Sequence, residues 1–262
     1  MKKNNSLFKV IINYYDLYYF LSSYDVASRF RSSRLGILWL VIQQLMFALG
    51  ISLVWSNVFA IDIYDFVPFL TLGLSLWGII MGSMTEGGNA FLHAQYYIKQ
   101  FPLPYSVFIL RTLLTQFLYF GISILTTFIV LGIFGKLSLL GIIYAIPGMV
   151  VLCIYCYSAT ALTAYLCLRY RDLNHALSGI FGLIFLITPI IFSPELLIQK
   201  GISIAIYLNP FASLIEIVRY PILNVDFANL EHYFIGLGFS LCLLLVQIII
   251  QKRWGRFVPF WI

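Results

Sequence analysis

The stretch LGILWLVIQQLMFALGISLVWSNVFAI, residues 35–61, runs for 27 positions without an Asp, Glu, Lys or Arg. At about 1.5 Å per residue, a helix of roughly 20 residues crosses a hydrocarbon core about 30 Å thick. A charge at the centre of such a helix costs roughly 2.5–3.5 kcal/mol on insertion scales, so a run this clean marks a transmembrane helix. Five more charge-free runs of at least 20 residues follow along the chain, at 66–85, 112–135, 137–168, 173–194 and 232–251. Pro102 and Pro104 break the chain just before the third, which is therefore drawn from about 105 to 135. The expected fold is an all-α polytopic membrane protein, one transmembrane domain over residues 1–262 with six spans.

The composition agrees. Of 262 residues, 61% are hydrophobic and 10% charged, against roughly half and a quarter in a soluble globular protein. That is too little polar material to coat a soluble surface, and it excludes disorder and collagen as well. Four cysteines make no disulfide framework. The 46 aromatic residues (23 Phe, 18 Tyr, 5 Trp) are numerous, tyrosine especially.

Six spans put both termini on one side, and the basic residues identify it. Lys2, Lys3, Lys9, Arg29, Arg31, Arg34, Lys99, Arg111, Arg169, Arg171, Lys252, Arg253 and Arg256 fall in the termini and even loops. Only Lys136, Lys200 and Arg219 fall opposite. A split of 13 to 3 places both termini in the cytoplasm. The net charge of +6 is then a topology signal and does not point to nucleic acid as a partner.

Two segments lie outside the six spans. Leu7, Val10, Ile11, Tyr14, Leu17, Tyr18 and Leu21 recur at helical spacing, opposite Lys9, Asn13, Asp16 and Ser23. This predicts an amphipathic helix over 6–28, lying in the cytoplasmic headgroup region. Lys9 and Asn13 interrupt the apolar run, which is not a signal peptide. Near the other end, the apolar run 201–215 has only 15 residues and is interrupted by Asn209-Pro210. Residues 195–230 are expected to dip into the outer leaflet as two short helices and return, over the external mouth.

The chemistry expected of a self-powered machine is missing. The six charge-free runs offer no midplane carboxylates for a proton pump. Gly135-Lys136 lacks the rest of a phosphate-binding loop. His93, His175 and His232 fall in a loop or near span ends, where hydrogen bonding at the interface explains them. Cys153 and Cys156 sit in an apolar helix without a second ligand pair, so no metal is expected. Uphill transport would have to draw its energy from a partner.

Four segments are unusual for membrane filler. They are SRFRSSRLGILW (28–39), NAFLHAQYYIKQFPLPYSVFILR (89–111), LRYRDL (168–173) and LNPFASLIEIVRYPIL (208–223). On these residues the sequence resembles the permease subunits of type-two ABC exporters that carry lipid-linked bacterial polysaccharides, such as O-antigen, capsule and teichoic acid. The matching positions are Arg29, Arg31, Ser33, Leu35, Gly36, Leu38 and Trp39, then Phe101-Pro102 and Arg169-Tyr170-Arg171-Asp172. Thr188-Pro189 and Asn209-Pro210 with Arg219 complete the set. They occur in order, on the appropriate sides of a six-span map. One departure is visible: Gln43-Gln44 stands where the family commonly has a proline.

The resemblance implies a homodimer enclosing one path in the bacterial inner membrane, with a cytoplasmic ABC ATPase dimer docked below. ATP and its Mg would be bound by that partner, and this chain would carry no cofactor and no catalytic residue. Lys99, Phe101 and Pro102, together with Arg169, Arg171 and Asp172, are the expected ATPase-coupling contacts. Asn209, Pro210 and Arg219 would form an external gate. Residue chemistry adds two expectations. Arg29, Arg31 and Arg34 lie at headgroup depth and could hold the phosphate of a lipid-linked glycan in their planar forks, although anionic membrane lipid would be held as well. Tyr14, Tyr15, Tyr18, Tyr19, Trp39 and Phe47 could offer ring faces to a sliding sugar chain, although interfacial belts collect such residues in any membrane protein. Gly78-x-x-x-Gly82 is a weak sign of close helix packing. Two other classes stay open: an exporter of another small or lipidic substrate, and a membrane enzyme of glycan assembly. The second would need a catalytic constellation that Glu195, Glu216, Asp226 and Glu231 do not obviously make.

Overall fold

The structure is a computed structural model that describes residues 7–59, 61–192 and 208–262. The described residues form helices and connecting turns, without strands. Among the described residues, five helices are long and apolar enough to cross a membrane. They lie at Leu38–Val58, Ile63–His93, Tyr105–Ile133, Ile146–Arg169 and Leu230–Trp261, the second and last including short turns beyond the main helix.

The remaining expected span is shorter than foreseen. Its helix runs over Leu173–Ile187, 15 residues, or about 22 Å. Thr188 leaves the helix with ψ at 134°, as the residue before a proline does when Pro189 crowds its helical conformation. The expected continuation to 194, and the first half of the 195–230 external segment, fall partly on 193–207, outside the described residues. The second half is the helix Pro210–Asn224, started by Pro210 at its first position and capped by Asn209, whose Oδ1 accepts from the amides of Phe211 (3.0 Å) and Ala212 (3.4 Å).

The expected continuous span 137–168 is broken at Ala145 into Leu139–Tyr144 and Ile146–Arg169. Pro147 has no amide hydrogen to donate back to the preceding turn, which explains the interruption. Helix Ile63–Thr85 begins three residues before its charge-free run, because Asp62 caps it by accepting from Tyr64 N at 2.9 Å. Asp65 in its first turn pairs with Lys136 at 2.5 Å. Carboxylates are favourable at a helix N-terminus, so the charges that bound the run in sequence do not bound the helix.

Ile63–Thr85 and Ile146–Arg169 form the centre, burying Leu70, Leu72, Leu76 and Ile80 with Leu152, Tyr155, Cys156 and Ala159. Association of helices in lipid gains little from the hydrophobic effect and depends on close packing and polar contacts. Both are present here. Tyr155 Oη donates to the Ile80 carbonyl (3.2 Å) and Thr160 Oγ1 to the Ser83 carbonyl (3.1 Å). Gly141 and Gly148 seat the helix Pro210–Asn224: a Cβ on Gly141 would lie 2.7 Å from the Pro221 carbonyl oxygen, and one on Gly148 2.7 Å from the Ile217 carbonyl carbon. Of the glycine pair noted in the sequence, Gly82 packs against Gln116 of the same chain, while Gly78 faces open space.

The N-terminal amphipathic segment is two helices, Leu7–Asn13 and Tyr15–Arg29, parted at Tyr14. Val10, Tyr18, Leu21, Ser22 and Val26 are buried, with helix Tyr105–Ile133 as the main neighbour. The apolar stripe is thus covered in part by protein.

Candidate functional site

Polar and charged side chains gather at three levels of the helix bundle. On the side where the chain turns at 86–104, helix Tyr15–Arg29, here called the interface helix, is pinned by an ion pair. Arg111 Nε and Nη2 reach Asp25 Oδ2 and Oδ1 at 2.7 and 2.5 Å, a bidentate contact. Arg29 lies over the Tyr119 ring at 5.3 Å. Both Arg111 and Tyr119 belong to helix Tyr105–Ile133, so that helix holds the last turn of the interface helix twice. Arg31 and Arg34 are exposed and make no ion pair among the described residues. Between them and the first span, Gly36 adopts φ +54°; a side chain there would be strained, which gives the Leu-Gly of the motif a backbone reason.

The aromatic candidates divide. Tyr15 and Tyr19 are exposed and stacked at 5.7 Å, presenting ring faces at the surface. Tyr18 is buried, and its hydroxyl donates to the Ile11 carbonyl at 3.2 Å; burial, with Tyr15 adding to it, raises its pKa. Tyr14 is half-buried against the core. Trp39 is exposed. Phe47 is also exposed and meets Phe185 at 6.3 Å, where the first and fifth apolar helices approach. Further in, Trp77, Phe181, Phe185 and Phe211 form a packed ring cluster with centroid distances of 5.4–6.2 Å. Many span aromatics are therefore committed to packing.

The two turn segments expected to couple to an ATPase touch each other. Gly87 and Gly88 press against helix Ile146–Arg169: a Cβ on Gly87 would come within 2.7 Å of Thr160 Cα, and one on Gly88 within 2.8 Å of Cys167 Sγ. Asn174 Nδ2 donates to Asn89 Oδ1 at 2.8 Å, binding the first turn to the helix that follows the 169–172 hairpin. Phe91, Ile98, Phe108, Tyr165 and Val258 bury together beneath. Lys99, Phe101 and Pro102 remain exposed, as do Arg171 and Asp172. Arg169 is held differently: its guanidinium lies 5.2 and 5.0 Å from the Trp254 and Trp261 rings and 5.4 Å from that of Tyr170. It pins the C-terminal segment to the hairpin by cation–π contact.

At the opposite end the two Pro-containing motifs meet. Asn209 Nδ2 donates to Thr188 Oγ1 at 2.8 Å. Arg219, 1% exposed, donates from Nη1 to the Pro189 carbonyl (2.9 Å) and from Nη2 to Glu216 Oε2 (2.7 Å). Its guanidinium lies 3.9 Å from the Phe69 ring centroid. Gly73 on the same helix leaves room for it, since a Cβ there would already be 3.4 Å from Nη1. Buried this way, Arg219 holds three elements together and presents nothing to a passing solute in this conformation.

One cluster went unforeseen from the sequence. Gln44 reaches Ser75 Oγ (3.0 Å) and Thr127 Oγ1 (3.0 Å) with its amide and accepts from Ser123 Oγ at 2.6 Å. Ser75 and Thr127 are 2.7 Å apart. Three apolar helices are thereby joined by a closed set of hydrogen bonds. A Gln in a charge-free run gives no sign of its partners; the sequence marked only the Gln43-Gln44 pair as a departure.

Helices of this length and apolarity, joined inside by polar clusters, define a multi-pass membrane protein. Comparison with known proteins takes this further. No family model matches the chain. Two proteins from Klebsiella pneumoniae, each named O-antigen export system permease protein RfbA, are 28% identical over 228 residues (85% of this chain, 87% of theirs) and 27% identical over 221 residues (82% and 85%). A protein of the same name from Myxococcus xanthus is 24% identical over 210 residues, 79% of this chain and 80% of its own. Similarity over about four fifths of both partners bears out the resemblance drawn from the motifs: this chain is similar to O-antigen export permeases along most of its length.

Proposed function

We propose that this chain is the membrane-spanning subunit of an ATP-driven exporter that moves a lipid-linked, O-antigen-like polysaccharide from the cytoplasmic to the external leaflet of the bacterial inner membrane. The observation that carries the reading is the similarity to O-antigen export permeases along most of the chain. In the proposed architecture six spans place both termini in the cytoplasm, and the segment 195–230 returns into the outer leaflet. Two copies enclose the path, and a cytoplasmic ABC ATPase dimer supplies the energy, binding ATP and Mg itself.

In this reading, Arg29, Arg31 and Arg34 receive the phosphate of the lipid headgroup at the foot of the first span. Exposure of Arg31 and Arg34 supports this, because a phosphate must displace only water to reach them. Tyr15 and Tyr19 offer ring faces earlier on the same helix as Arg29, with Trp39 and Phe47 further along the path. Lys99, Phe101, Pro102, Arg171 and Asp172 meet the ATPase, and the packing of Gly87 and Gly88 on helix Ile146–Arg169 supports their moving as one body. Arg169 acts by holding the C-terminal segment against that body. Asn209, Pro210 and Arg219 close the external end.

The test has two arms. The tagged chain is purified from its native host for identification of a bound ATPase, and the lipid-linked glycans of a deletion strain are located by leaflet. An ATPase in the complex and polysaccharide trapped on the cytoplasmic side are the expected results. Normal polysaccharide export in the deletion strain, or transport by the chain without an ATPase, overturns the proposal; accumulation of a different lipid or small molecule reassigns the cargo.

A further inference from the structure

Arg111 stands where three elements meet. It belongs to the second turn of helix Tyr105–Ile133, a span, and is 9% exposed. Two of its nitrogens grip Asp25 on the interface helix. Its guanidinium also lies 5.7 Å from the ring of Tyr97, on the short helix Gln95–Gln100. That short helix carries Lys99 and leads directly to Phe101-Pro102, whereas Asp25 lies one turn before Arg29 on the helix that leads to Arg31 and Arg34. One side chain thus bridges the segment facing the cytoplasmic partner and the helix facing the headgroups.

We infer that Arg111, with Asp25 and Tyr97, is a transmission joint that carries movement of the 95–104 segment to the interface helix and its arginines. The inference rests on the exporter reading above. The physical case has three parts. The bidentate fork fixes the angle of the interface helix as well as its distance, so rotation of Arg111 must move Asp25. The pair is part-buried, with the Arg111 side chain 11% and the Asp25 side chain 30% exposed, and its two charge-assisted hydrogen bonds act together, so the helix follows the arginine and does not detach from it. The contact to Tyr97 is a ring face without a hydrogen bond, which lets the short helix press or slide on the guanidinium without exchanging partners. Arg111 Nη1 has no hydrogen-bond partner among the described residues, leaving one donor free for a second arrangement of the joint. Arg29 over Tyr119 supplies the second hold that makes the last turn of the interface helix move as a unit. Arg111 and Tyr97 are therefore positioning residues: they touch no cargo and act through the arginines beyond.

The experiment uses the full complex with its ATPase in lipid nanodiscs. Spin labels on non-cysteine handles sit at the exposed Tyr24 and Tyr96, and export per ATP hydrolysed is measured in parallel. In the wild type, the distance between the labels changes between nucleotide-free and ATP-bound states. Tyr97→Leu, at a half-exposed position, removes the ring face and leaves the ion pair. It should abolish most of that change and lower export per ATP by about threefold or more, within the range seen for changes along coupled networks. Tyr97→Phe should restore both. The pair Asp25→Asn with Arg111→Gln, which leaves no lone buried charge, should lose the distance change as Tyr97→Leu does. A purely structural role would lower thermal stability in these variants while leaving the ATP-linked distance change intact, and that outcome overturns the inference. So does export per ATP within about threefold of wild type in Tyr97→Leu. A wild-type complex that exports nothing overturns the exporter reading itself, which is a separate result from a normal wild type with indifferent variants.

Discussion

Replacing Arg219 by methionine should cost this protein far more than replacing Arg219 and Glu216 together. Arg219 is 1% exposed and its Nη2 reaches Glu216 Oε2 at 2.7 Å, with the Glu216 side chain itself only 15% exposed. Removing one partner of a buried pair leaves the other charge without compensation, a loss of about 3–5 kcal/mol. The Pro189 carbonyl, which accepts from Nη1 at 2.9 Å, would also lose its donor. At roughly 2–4 °C per kcal/mol for domains of 150–250 residues, the single variant should unfold about 6–20 °C lower. In the double variant Arg219→Met with Glu216→Leu, no lone charge remains, and apolar replacements of buried pairs are often close to neutral. The Phe69 ring, now 3.9 Å from the guanidinium centre, would pack on the thioether instead. Thermal unfolding of the purified protein in detergent, run as a double-mutant cycle, should therefore give a coupling of about 2 kcal/mol or more between the two positions. Additive losses, or a single variant as stable as the parent, would refute the claim that this pair holds its end of the bundle. Export assays on the double variant then separate structure from gating, since a stable but leaky or inactive protein assigns the charge pair a working role.

Three further outcomes follow from the packing and a fourth from the exposure of Arg31 and Arg34. Gly148→Ala would put a methyl group against the Ile217 backbone and should destabilise by about 1–3 kcal/mol. Gly78→Ala, with open space around it, should be neutral or slightly stabilising in the monomer; a loss of cross-linked dimer in Gly78→Ala alone would instead mark that glycine as part of a subunit contact. Gln44→Leu should cost about 1–2 kcal/mol in thermal unfolding, because Ser75, Ser123 and Thr127 keep each other partly satisfied. Arg31→Gln with Arg34→Gln should leave insertion and unfolding temperature unchanged while export falls; unchanged export in correctly inserted protein removes these residues from headgroup binding.

Much of the architecture was readable because its cause is local. A backbone in hydrocarbon must satisfy its own polar groups, so spanning segments are helical, and they exclude charge from their centres. Both constraints act on consecutive residues, and the runs that begin at 35, 66, 112, 137 and 232 accordingly lie within or largely overlap helices long enough to cross. Where the reading went astray, a local exception had been given too little weight. Pro147 interrupts one expected span, Pro189 shortens another, and Asp62 extends a third by capping it.

Partner choice was not readable in this way. Asp25 and Arg111 are 86 positions apart, Gln44 and Thr127 are 83, and Asn89 and Asn174 are 85. Each residue alone has an ordinary explanation as a headgroup contact, a stray amide or a loop residue. Arg169 looks in sequence like a free coupling charge, yet it lies among rings contributed by Trp254 and Trp261. Asn209 and Arg219 were singled out by motif, but only folding shows that they bind Thr188 and Pro189. The sequence by itself determined that this protein lives in a membrane and which segments are apolar enough to cross it, since the solvation cost of a charge or an open backbone group is set residue by residue. The tertiary structure decided which polar groups satisfy one another, because that depends on helix rotation and depth, and no spacing along the chain encodes either.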